Sequence, residues 1–169
     1  MSFIYVGRLD ELKGIKILFE AWRRMGANAP ELLVCGAGPL EEWCREQAEG
    51  LNIKMMGPVP NEEAKKLMAH SQALMLPTLL YEGFPMTIIE AYSAGTPVIC
   101  SDLGNVGSVV EEGVTGWKFK VGDAQSLIGA IGRWNDIRLK VITAYKKGYT
   151  SHTNYCKLKF VYDEVSHAG

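Results

Sequence analysis

Short, almost uninterrupted apolar runs alternating with longer helix-like stretches constrain this chain more than any other feature. "FIYV", "ELLVC", "IKMMG", "ALMLP", "PVICS" and "GWKF" read as strands in that order. Between the first two lies "IKILFEAWRRM", a helical stretch with apolar positions at Ile17, Leu18, Ala21, Trp22 and Met25. "LEEWCREQAEG" reads as a second helix, a third opens near Pro85, and a short one lies near "VGSVVEEG". From Asp123 onward the pattern is helix-rich, with a break near Gly148 to Asn154. Strands that are apolar on both sides must be covered on both faces, and helices between them supply the cover. The class is therefore α/β: a Rossmann-like, doubly wound parallel sheet in a three-layer αβα sandwich. The 169 residues are enough for one domain, 1–169, with a helical tail from about 135 to 169.

Composition narrows the function classes. A formal net charge of -1 supplies no general attraction to nucleic acid or anionic lipid. The apolar runs are too short to cross a bilayer, and the N-terminal "MSFIYVGRLD" does not read as a signal peptide. Cys35, Cys44, Cys100 and Cys156 lie far apart without a CxxC pair, as buried thiols of a reducing cytoplasm do. Basic residues gather around the first helix (Lys13, Lys16, Arg23, Arg24) and in the tail (Lys146, Lys147, Lys157, Lys159). Solvated helix faces account for them, with a weak contact at the cytoplasmic membrane face as the sharper reading.

In a doubly wound sheet, ligands bind at the carboxyl ends of the strands. "GRLDELKG", "GAGP", "MGPVPNEE" and "PTLLYEGFP" all fall there, so one cleft is expected. Arg8 and Lys13 can grip an anion over the sheet edge. Gly36 and Gly38 let backbone come close to a ligand, but Glu41 stands where a dinucleotide fingerprint needs its third glycine. No P-loop pattern occurs. Pro85 suits a first helical position, which would leave the N–H groups of residues 84–87 facing an anion. Glu82 and Glu90 flank that point and can accept hydrogen bonds from hydroxyls. Each of these residues alone is more cheaply read as a solvated charge or a tight turn; their convergence is the signal. No D-x-D and no metal-ligand spacing occurs, so no metal and no cofactor are expected. A diphosphate would then rely on charge-assisted hydrogen bonds of about 1.5–3 kcal/mol each.

In order, "FIYVGRLDELKG", "CGAGPLEEW", "MGPVPNEE", "LPTLLYEGFPMTIIEAYSAGTPVICSDLG" and "EEGVTGWKFKVGD" resemble the C-terminal domain of retaining, family 4-type glycosyltransferases, one half of a GT-B fold. The resemblance covers about residues 3 to 132, and its most specific part is the E-x7-E element at Glu82 and Glu90. It implies transfer of a sugar, with retention, from a nucleotide diphosphate sugar to an acceptor hydroxyl. Arg8 and Lys13 would stabilise the departing diphosphate, and Glu82 would stand beside the donor sugar, these three forming the catalytic set. Glu90 would hold the ribose; Gly83, Phe84, Pro85, Met86 and Thr87 would touch sugar and phosphate. Gly7 and Gly36 would lie near the nucleotide and Val59 near the base.

Two departures stand out: Pro85 where many members carry Gly, and "GNVGSVV" where many carry a Gly-Gly-x-Pro-Glu stretch. The family's N-terminal acceptor domain is expected to be absent from this chain, so the partner would be that domain or a partner chain. His70, His152 and His167 lie outside the motif loops. The alternatives are a non-catalytic nucleotide-sugar-binding module and, more remotely, a hydrolase or epimerase of sugar nucleotides.

Overall fold

The computed structural model describes residues 2–81 and 86–150. Six strands form one sheet: β1 (Ser2–Val6), β2 (Glu31–Cys35), β3 (Ile53–Gly57), β4 (Leu74–Leu76), β5 (Val98–Ser101) and β6 (Gly116–Phe119). Their order is β3-β2-β1-β4-β5-β6, and every neighbouring pair is parallel. The helices are α1 (Ile15–Met25), α2 (Glu41–Ala48), α3 (Asn61–His70), α4 (Met86–Ser93), α5 (Gly104–Val109), α6 (Ala124–Gly132) and α7 (Arg138–Gly148). Right-handed crossovers put α1 and α2 on one face and α3, α4 and α5 on the other. Then α6 returns to pack on α1, and α7 on α4.

The chain steps outward from β1 in one direction and outward from β4 in the other. These two strands are neighbours, paired through Ile4 and Leu74. The sheet therefore changes direction between β1 and β4, which is where such sheets open a crevice at their carboxyl ends.

The buried stripe of α1 differs from the expected one. It runs through Ile15, Leu18, Phe19, Ala21 and Trp22, while Ile17 and Met25 are half-buried. A turn of 3.6 residues stacks Ile15, Leu18, Phe19 and Trp22 on one line. The short helix before β6 also lies earlier than expected. Residues 111–116 instead make a tight turn, with the Glu111 carbonyl accepting from Val114 and Thr115, and the Glu111 N–H donating to Thr115 Oγ1.

Phe3 on β1 ties the amino-terminal edge together. Its ring meets Trp22 and Trp134 edge-on, at 6.3 and 6.2 Å between centroids. Both indoles then donate to backbone carbonyls, Trp22 to Pro30 at 2.7 Å and Trp134 to Gln72 at 3.1 Å. Arg138 donates to the Ala69 and Ser71 carbonyls at the end of α3, fastening the start of α7 to the same edge. Cys35, Cys44 and Cys100 are free and buried; Cys156 lies outside the described residues. No described helix is long and apolar enough to cross a membrane.

Candidate active site at the sheet switch point

The loop from Gly7 to Gly14 leaves β1 at the switch point and is fastened at nearly every residue. The Gly7 N–H donates to the Cys35 carbonyl and the Leu9 N–H to the Ala37 carbonyl, both at 3.0 Å. The Leu40 N–H donates back to the Leu9 carbonyl at 3.0 Å. Tyr5 Oη donates to the Arg8 carbonyl at 2.6 Å. Asp10 accepts from the Lys13 backbone N–H at 2.8 Å and pairs with Arg8 Nε at 3.2 Å.

The glycines around this loop serve the loop first. A Cβ on Gly36 would overlap the Gly7 carbonyl, one on Gly38 the Leu9 backbone, and one on Gly14 the Pro77 carbonyl. The "GAGP" turn is thus glycine-rich because it lies against the β1–α1 loop. Gly36 also borders open space.

Two cavities meet along this loop. One, of about 130 Å³, is lined by residues that include Gly7, Arg8, Lys13, Pro77, Thr78 and Thr87. The other, of about 260 Å³, is lined by residues that include Gly7, Arg8, Cys35, Gly36, Pro58 and Val59. Arg8 lines both. Together they run along the carboxyl ends of β3, β2, β1 and β4 as far as the first turn of α4. Arg8 is mostly exposed, so its guanidinium is accessible to a ligand. Cys35 is buried beneath the second cavity, and its thiol is pushed from the usual 9.0 to about 11, first by burial and then by the charge of Glu63. It remains a neutral wall.

Glu90 lines neither cavity. It lies one turn into α4, half-buried, and its Oε1 accepts from Asn61 Nδ2 at 3.1 Å. Asn61 opens α3 two residues after Val59, so this bond ties Glu90 to the segment walling the second cavity. Lys65 on the same helix has its pKa raised by its hydrogen bond and ion pair with Glu62, with a smaller part from Glu90. Met86 is exposed at the start of α4. Glu82, Gly83, Phe84 and Pro85 lie outside the described residues.

Gly7, Arg8, Lys13, Gly36, Val59 and Thr87 are therefore brought to one crevice, while Met86 and Glu90 stand at its border. Sequence reasoning missed Tyr5, Asp10, Asn61 and Thr78. For Asp10 a signal existed: an Asp three residues before a loop Lys is a pattern for capping that backbone N–H. Among the described residues no group of three or more His, Cys, Asp or Glu could hold a metal ion.

Exposed apolar side chains rim the crevice. Leu12 projects from the β1–α1 loop, and Leu79, Leu80 and Tyr81 follow β4. The Leu79 N–H donates to the Leu12 carbonyl at 2.8 Å, which sets the two segments side by side. A larger cavity of about 610 Å³, lined by Thr115, Leu139, Lys140 and Tyr149 among others, lies at the opposite, amino-terminal edge.

A doubly wound sheet of this order, with a crevice at its switch point, is a Rossmann-like fold, and a domain of this kind makes up one half of the GT-B fold. Residues 1–136 match the family Glycosyl transferases group 1, and the chain belongs to it. It is 30% identical over 148 residues to the putative colanic acid biosynthesis glycosyltransferase WcaL of Salmonella typhimurium, covering 81% of this chain and 36% of the relative. It is 32% identical over 135 residues to the phosphatidyl-myo-inositol mannosyltransferase of Mycobacterium leprae, covering 77% of this chain and 36% of the relative. Among solved structures, Anabaena HepE in complex with UDP superposes with a TM-score of 0.82 at 20% identity, over 96% of this chain and 48% of that one. The apo lipopolysaccharide outer core galactosyltransferase WaaB superposes with a TM-score of 0.79 at 22% identity, over 96% of this chain and 49% of that one. The chain thus spans about a third of these curated relatives and about half of these solved structures.

Proposed function

We propose that this chain is the donor-binding half of a glycosyltransferase that moves a sugar from a nucleotide diphosphate sugar to an acceptor hydroxyl, with retention and without metal. The observation that carries the reading is Arg8. It lines both cavities, with Lys13 and Thr87 on one side and Gly36 and Val59 on the other. A diphosphate at Arg8 and Lys13 would direct the sugar toward α4 and the nucleoside toward Val59. Glu90, tied by Asn61 to the Val59 segment, would accept from ribose hydroxyls. Glu82 would stand beside the sugar, with Gly83, Phe84, Pro85 and Met86 completing that end. Charge develops on the leaving diphosphate in the transition state, so cations fixed by a fastened loop stabilise it without reorganisation.

The acceptor would be presented by a second domain or chain, seated against the apolar rim at Leu12, Leu79, Leu80 and Tyr81. Work at the cytoplasmic membrane face belongs to the same reading. The deciding experiment is calorimetric titration of the chain with UDP, GDP and ADP, with and without EDTA. It is repeated on Arg8→Ala and Glu90→Ala. EDTA-insensitive binding of one nucleotide, weakened by both substitutions, supports the reading. No binding by a folded chain, or binding indifferent to Arg8, overturns it.

A further inference from the structure

We propose that Asp10 is a positioning residue for the anion grip: a single carboxylate that aims Arg8 and fixes the backbone of Lys13. The inference rests on the donor-binding reading above and assigns a role to a residue that touches neither cavity.

The geometry is specific. Asp10 Oδ1 accepts from the Lys13 backbone N–H at 2.8 Å, closing a turn over residues 10–13. Asp10 Oδ2 lies 3.2 Å from Arg8 Nε. The Asp10 N–H also donates to the Arg8 carbonyl at 3.2 Å, and that same carbonyl accepts from Tyr5 Oη. The Asp10 side chain is 23% exposed, against 66% for Arg8. A carboxylate so placed is the fixed member of the pair, and the long arginine is the member it orients.

The atom chosen on Arg8 matters. Guanidinium carries five N–H donors in a fixed fork. Pairing at Nε leaves the terminal nitrogens outside this contact, where they can take an anion bidentately. The cap on Lys13 meanwhile sets where its side chain leaves the loop, into the cavity that Arg8 also lines. An exposed ion pair contributes little to stability. Its effect here lies in conformation: Asp10 restricts two flexible cations to one cavity before the ligand arrives, which lowers the entropy lost on binding.

The test uses the 169-residue chain as Asp10→Ala and Asp10→Asn, titrated with UDP and with inorganic pyrophosphate beside wild type and Arg8→Ala. Asn keeps a carbonyl acceptor for the Lys13 N–H, and Ala keeps nothing. Asp10→Ala is expected to weaken binding of the nucleotide about tenfold, on the scale of one hydrogen bond to a charged group, and Asp10→Asn to recover only the part carried by the Lys13 cap, because its amide Nδ2 would face the Arg8 Nε donor. Wild-type affinity in Asp10→Ala, alongside loss in Arg8→Ala, overturns the inference and leaves the donor-binding reading intact. Absence of binding by wild type overturns that reading instead. Amide hydrogen exchange at Lys13 then decides the positioning role without any ligand. Protection lost in Asp10→Ala and kept in Asp10→Asn supports it, and equal protection in all three proteins overturns it.

Discussion

A methyl group at Gly36 would meet the Gly7 carbonyl well inside van der Waals contact, and the residue has φ +147°, a region that side chains rarely adopt. Gly50 has φ +75° but nothing within 4 Å of an added Cβ. The two positions separate backbone strain from loop packing. Gly50→Ala is expected to cost about 1 kcal/mol and leave nucleotide binding unchanged. Gly36→Ala should cost about 2 kcal/mol or more and also weaken binding, because the loop carrying Arg8 must shift. Urea midpoints and nucleotide titrations on both variants check this; equal costs with unchanged binding would refute it. At this scale the cations were legible in the sequence, because Arg8 and Lys13 follow a strand. The reason for the glycines was not. Chain order shows a flexible turn, and only the parallel pairing of β1 with β2 shows that its neighbour is another loop.

Within single elements, α1 is held chiefly by Trp22, fully buried, ring-stacked edge-on with Phe3 and bonded to the Pro30 carbonyl. Trp22→Ala removes the packing and leaves that carbonyl without its partner, at an expected cost of about 3–5 kcal/mol by chemical denaturation. A loss below 1 kcal/mol would mean that α1 is anchored elsewhere. The strands carry a second prediction through their thiols. Burial, the largest cause in each case, pushes Cys35 to about 11 and Cys100 to about 12 from the usual 9.0. These acids stay neutral in the fold after their unfolded counterparts ionise. Their contribution is therefore intact below pH 9 and declines as pH rises toward 11 or 12. Unfolding temperature should fall between pH 9 and 11, less steeply in a Cys35→Ala, Cys100→Ala double variant, and both thiols should resist a disulfide reagent at pH 8 until denaturant is added. The strands were legible because the central ones are nearly continuous apolar runs, as in a covered parallel sheet, with Lys54 and Lys118 interrupting only the edge strands β3 and β6. The face of α1 was not, since Ile17 and Ile15 are chemically alike and two residues differ by 200° of helix rotation.

For the molecule as a whole, the apolar rim and the crevice are consequences of one topology. Leaving β1 and β4 at the switch point obliges both following loops to project from the same edge, so Leu12, Leu79, Leu80 and Tyr81 lie exposed beside the crevice that Arg8 and Lys13 line, Tyr81 toward Gly104 and Leu79 toward Gly122. Monomeric soluble proteins seldom expose contiguous apolar surface without a use for it. The motif loops point to the crevice from sequence alone, but the rim does not appear there, because leucines in a loop are indistinguishable from core leucines until their exposure is known. If the rim is the seat of a second domain, the chain by itself should bind nucleotide, transfer sugar poorly to an added acceptor, and associate weakly through the uncovered leucines. Sedimentation velocity over a hundredfold concentration range would then show a rising sedimentation coefficient for wild type. The double variant Leu12→Gln, Leu80→Gln should show none, with nucleotide affinity within a factor of about three of wild type, since neither residue lines the cavity of Arg8 and Lys13 and the substitutions add no charge beside it. Concentration-independent sedimentation of wild type, together with efficient transfer by the chain alone, would show that the rim covers nothing and that the crevice is complete without a partner.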